Sequence, residues 1–98
     1  MAAAISNQTV LRRTDAVVDA DLGEEAVLLD TSRGVAFRLN PAAAWLWDRL
    51  REPTPLSHLA EGLTERFEID AGRARADTED FATTMIGRGL IEPDDQGA

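Results

Sequence analysis

The chain has 98 residues, 44% of them hydrophobic, enough for one self-sufficient core and too apolar for wholesale disorder. Its 18 acidic residues against ten cations leave a formal charge of −8, the wrong sign for a protein whose affinity must come from neutralising phosphates, so nucleic acid is a poor candidate partner. There is no Cys and every cation is Arg, which removes disulfides, thiolate metal ligands, a cysteine nucleophile and lysine Schiff-base chemistry together.

Residues 1–8, MAAAISNQ, lack the basic start, apolar middle and cleavage site of a secretory signal, and no apolar run approaches the roughly 20 residues of a membrane span. A cytoplasmic location away from membranes is expected, with residues 1–13 as an N-terminal extension. Residues 16–20, AVVDA, form a first expected strand, followed by turn chemistry at Asp21-Leu22-Gly23-Glu24. Residues 26–29, AVLL, form a second, ending at Asp30. Thr31-Ser32-Arg33-Gly34 is a second turn, with Gly34 available for positive φ, before a third strand from Val35 to Leu39. In that strand Val35, Phe37 and Leu39 are expected to meet the core while Ala36 and Arg38 face away. The second strand is apolar on both faces, so its outer face calls for a cover, either residues 9–13 or a partner protein.

Asn40 is placed as an N-cap with Pro41 in the first helical position, and Ala43, Leu46, Trp47 and Leu50 recur as one apolar face with Trp45 at its edge. After the rigid connector Glu52-Pro53-Thr54-Pro55, Thr54 is expected to cap a second helix begun by Pro55, with the stripe Leu56, Leu59, Leu63 and Phe67. Asp70 caps a third, whose stripe Ala74, Thr78, Phe81 and Met85 runs on to Leu90, with Gly87 and Gly89 ending it. Residues 93–98 read as a flexible tail. Three antiparallel strands followed by three helices predict an α+β, winged helix-turn-helix-like domain over residues 14–92, with a three-stranded antiparallel sheet packed on one helical face.

Little in this chain points to catalysis. His58 is the lone imidazole and has no second His, Cys or Lys to share acid–base work, so a solvent-exposed position is expected. Asp19, Asp21 and Glu24 miss the calcium-loop spacing and read as a solvated turn. No cofactor and no metal are called for, and the protein is expected not to be an enzyme. Trp47 reads as core and Trp45 as a partner contact or domain edge. A winged helix invites DNA binding through helix three, but Asp77, Glu79 and Asp80 there offset Arg73, Arg75 and Arg88. An acidic-pair hydrolase built on His58 or Asp19 is remoter still. What stands out is the third strand. In a meander it lies at the sheet edge, where unpaired N–H and C=O groups accept another strand.

Val27-Leu28-Leu29-Asp30, the run Gly34 to Asn40 ending in Leu-Asn, Ala43-Ala44, Ala74-Arg75-Ala76-Asp77 and Gly89-Leu90 together make a pattern that resembles the PqqD-like family of RiPP recognition elements, over about residues 14–92. The resemblance implies a non-catalytic chaperone that takes the leader of a ribosomally made precursor peptide as a fourth strand beside strand three, in the groove next to helix three. Carried over, Val35, Ala36, Phe37, Arg38 and Leu39 supply the edge, and Ala74, Asp77, Thr78 and Phe81 line the helix side. Arg38, Arg73 and Arg75 are expected to pair with acidic leader residues, each exposed pair contributing about 0 to 1 kcal/mol. Thr78 departs from the larger apolar residue common in the family. The Asp30 turn and the Asn-Pro helix start are most similar to free-standing lasso-peptide leader-binding proteins, which work with a leader peptidase and a cyclase. The pyrroloquinoline-quinone branch, which serves a radical S-adenosylmethionine enzyme, is second. A monomer or weak dimer is expected, because an open edge strand can also pair with its own copy.

Overall fold

The computed structural model describes residues 5–15, 17–22 and 25–94. Its longer-stranded sheet is a meander of β2 (Val17–Leu22), β3 (Glu25–Asp30) and β4 (Val35–Leu39), in that spatial order. The β3–β4 turn is built by Asp30. Its Oδ1 accepts from the backbone N–H groups of Ser32 (3.0 Å) and Arg33 (3.2 Å) and from the Ser32 hydroxyl (2.7 Å), while its carbonyl accepts from Gly34 N–H (2.8 Å). Gly34 takes the left-handed φ of 69° that the turn requires. The resulting register pairs Leu28 with Phe37 and Ala26 with Leu39, which puts these four on the face that meets the helices. Val35 was expected on that buried face. It stands opposite Asp30 at the turn end of the hairpin and is 42% exposed, because the helices do not reach that far along the strand.

Helix α1 (Pro41–Arg49) starts where Asn40 Oδ1 accepts from Ala43 N–H at 2.8 Å, and buries Leu46 and Trp47. Helix α3 (Ala71–Gly87) starts in the same way at Asp70, which accepts from Arg73 N–H at 2.8 Å. It ends in a Schellman motif: Leu90 N–H donates to Met85 C=O, Gly89 N–H donates to Ile86 C=O, both at 3.0 Å, and Gly89 has φ 75°. Helix α2 (Leu56–Phe67) lies between them in the chain, with Leu56, Leu59 and Leu63 buried. Trp45 packs inward. A Cβ on Gly62 would overlap its indole, so the ring, expected at a partner contact or a domain edge, packs into the α1–α2 seam and is half-buried there.

A second sheet, absent from the sequence reading, joins residues 10–13 to residues 54–55 and 91–93. It orders β5 (Thr54–Pro55), β1 (Val10–Arg13) and β6 (Ile91–Pro93), with Leu11 opposite both Thr54 and Pro93. Leu11 and Ile91 are buried, and Arg12 meets Glu92 at 2.8 Å. Residues 9–13 therefore do not cover the outer face of β3, and the segment set apart as an extension contains the paired strand β1 with its buried Leu11. Pro93, placed in the expected tail, is the last residue of β6 and pairs with Leu11. Thr54 does not cap α2: its hydroxyl donates to Glu52 C=O at 2.8 Å, and the first helical N–H groups, of Leu56 and Ser57, donate instead to the carbonyls of Thr9 and Asn7, each at 2.9 Å. Ala16, the turn residues Gly23 and Glu24, the side chains of Asp19 and Asp21, and residues 95–98 of the expected tail lie outside the described residues. No described helix is long and apolar enough to cross a membrane.

Candidate functional site

The site is assembled by four elements, β4 and the three helices. β4 is an edge strand of its sheet among the described residues, so one side of its backbone is not engaged by β3. Beside it lies a cleft of about 480 Å³. Its floor and near wall come from Leu39 and Asn40 at the end of β4, from Ala42, Ala43 and Leu46 of α1, and from Leu63 of α2. The far wall is the α3 surface, Asp77, Asp80, Phe81, Thr84 and Met85, completed by Arg88 at the helix end. An apolar floor under a partly charged rim, next to unpaired strand backbone, accepts an extended peptide: the backbone pairs with β4 and alternate side chains drop into the cleft.

Each expected site residue has a definite place here. Leu39, Asp77 and Phe81 line the cleft. Phe37 is half-buried on the inner face of β4, while Ala36 and Arg38 are exposed on the other face. Ala74 and Thr78 are fully buried, and Thr78 Oγ1 donates to Ala74 C=O at 2.7 Å; they pack α3 onto the domain and present no surface to a guest. That explains a threonine where a larger residue is common, since its hydroxyl is satisfied within the helix. Arg73 and Arg75 are engaged along α3, with Asp77 and Glu79 respectively, each at 3.0 Å. Such i,i+4 pairs stabilise the helix by about 0.3 to 0.5 kcal/mol and leave neither guanidinium aimed at the cleft.

The sequence reading overlooked Arg88, Asp80 and Thr84 as cleft residues. Arg88 lies with its guanidinium 4.3 Å from the centroid of the Phe37 ring, bridging the helix end and the strand. No period carries that signal, because Arg88 follows the last helical residue and its partner belongs to another element. Asp30 sits under the strand's start with its carboxyl held below the ordinary range, chiefly by the Ser32 hydroxyl, helped by the Ser32 and Arg33 N–H groups and the Arg33 charge, and opposed by burial. Away from the cleft, exposed His58 borders a small hollow with Arg49, Glu52 and Thr54.

The fold and cleft define a winged-helix-like α+β module with an open edge strand. The chain belongs to the PqqD family: the family model described as coenzyme PQQ synthesis protein D matches residues 25–91. Two solved structures are similar over most of their length. One is TbiB1 in complex with the TbiA(beta) leader peptide, 26% identical with a TM-score of 0.77, covering 83% of this chain and 94% of that one. The other is a lasso peptide synthetase B1 complexed with the leader peptide, 26% identical with a TM-score of 0.75, covering 85% of this chain and 98% of that one. No curated protein sequence matches the chain.

Proposed function

We propose that this chain is a leader-peptide-binding partner protein in the biosynthesis of a ribosomally made, modified peptide, and that it works without catalysing a reaction itself. The observation that carries the reading is the open β4 edge running beside an apolar cleft, in a family member similar to two proteins solved with leader peptides. The leader adds to β4 as a fourth strand, so that Val35 to Leu39 provide the ladder. Leu39, Phe81 and the exposed methyl of Thr84 receive its apolar side chains. Holding the leader this way leaves the core peptide free for a processing enzyme. The similarity to lasso peptide synthetase B1 proteins supports a leader peptidase and a cyclase as those partners, ahead of a radical S-adenosylmethionine enzyme.

The test is titration of a fluorescently labelled leader of a candidate precursor peptide into the wild type, Ala36→Pro and Thr84→Arg. Thr84 is exposed on α3, so Arg fills the cleft without disturbing the core. Saturable binding to the wild type, weakened at least about tenfold by Thr84→Arg (about 1.4 kcal/mol), supports the site. Equal binding by Thr84→Arg, with the fold retained, moves the leader elsewhere.

A further inference from the structure

We infer that Arg88 is a specificity-determining residue that reads an acidic side chain of the bound peptide; the inference rests on the leader-binding reading. Arg88 is the one cation among the residues lining the cleft, and the carboxylates around it belong to a chain of net charge −8. Among the described residues it has no carboxylate partner, and its guanidinium rests on the Phe37 ring. Arg73, by contrast, is occupied by Asp77. The Arg88 backbone is also fixed, since the Schellman bonds of Gly89 and Leu90 close the helix around it. A guanidinium stacked on an aromatic face keeps its N–H edge available, the geometry in which Arg receives a carboxylate with two parallel hydrogen bonds.

Position makes this selective. A guest strand paired with β4 presents alternate side chains on the face that carries Phe37 and Leu39, so one of them arrives beside the Phe37–Arg88 stack. Towards the start of α3 from Arg88 the cleft lining carries Asp80 and then Asp77. Asp80 and Arg88 are eight residues apart on α3, about 12 Å at 1.5 Å per residue, which an extended guest spans in about four residues. The cleft is therefore polar along its length. It accepts a guest with Asp or Glu facing Arg88 and a neutral or basic residue about four positions away, and the reverse arrangement sets carboxylate against carboxylate.

The experiment is selection from a displayed library of random 12-residue peptides by the full chain, with Arg88→Glu, Arg88→Lys and Arg88→Gln alongside, each checked for an unchanged melting temperature. Peptides selected by the wild type are expected to carry Asp or Glu at one fixed distance from an apolar anchor. Arg88→Lys is expected to keep that preference, and Arg88→Glu to turn it to Lys or Arg at the same position. For one selected peptide, replacing that Glu by Gln is expected to weaken wild-type binding about three- to tenfold, with no difference in Arg88→Gln. Selected peptides without a charge preference, or a preference unchanged by Arg88→Glu, would overturn the role of Arg88 while leaving the leader site standing. Selected peptides that bind Thr84→Arg as well as wild type would instead overturn the leader site itself.

Discussion

Asp30 shows how one side chain prepares the binding strand. It is 2% exposed, yet each of its turn partners is a donor, so the ionised form is the one the fold stabilises. The sign of the pH effect follows. The folded-state pKa lies below the unfolded one, so the unfolded chain binds more protons at acid pH. The contribution is complete above the unfolded value of about 3.9 and is lost as pH falls through the depressed folded value. Asp30→Asn is therefore expected to lower the melting temperature at pH 7 and to narrow the gap from wild type as the pH drops below about 4. Thermal melts at a series of pH values check this; a gap that widens on acidification would contradict it. The same variant is expected to weaken leader binding, because Asp30 sets the turn from which β4 starts.

At the scale of elements, the three helices and the caps of α1 and α3 were legible in the sequence, and the α2 cap and the small sheet were not. Asn40-Pro41 and Asp70 are local signals, one side chain and the N–H three residues on, and both are found where they were expected. The alternation of β4 predicted its inner face at Phe37 and Leu39, and failed at Val35 because period two says nothing of where the covering helix stops. β1, β5 and β6 have four, two and three residues, too short for any period, and their pairing joins parts of the chain far apart in sequence. The seat of Trp45 was not legible for a related reason: its pocket is the missing side chain of Gly62 on the next helix. Gly62→Ala gains about 1 kcal/mol of helix propensity, but the methyl must displace a packed indole, at a cost of about 1 to 3 kcal/mol. A net loss of stability with a red-shifted tryptophan emission is expected in chemical denaturation followed by fluorescence. A stabilised variant would mean that the ring moves aside freely.

For the whole molecule, the first and last described strands, β1 and β6, belong to the core. β1 pairs with β5 and β6, Thr9 and Asn7 carbonyls receive the first N–H groups of α2, and Arg13 stacks on Trp47 with its guanidinium 4.2 Å from the ring centroid. Leu11 is fully buried at the centre of this arrangement. Leu11→Ala is expected to cost about 2 to 5 kcal/mol, read as a lower urea midpoint at unchanged slope. A cost under about 0.5 kcal/mol, the range of an ordinary surface change, would show that β1 is dispensable. With β1 and β6 held in the small sheet, the β4 edge beside the cleft offers a guest both strand backbone and an apolar lining. The measurement that tests strand addition most directly is amide hydrogen exchange of Val35 to Leu39, with and without a leader peptide that binds the wild type. Strand addition predicts that alternate β4 amides, fast in the free protein, become slow in the complex, while the β3 ladder is unchanged. Exchange in β4 that stays fast at saturating leader would contradict it.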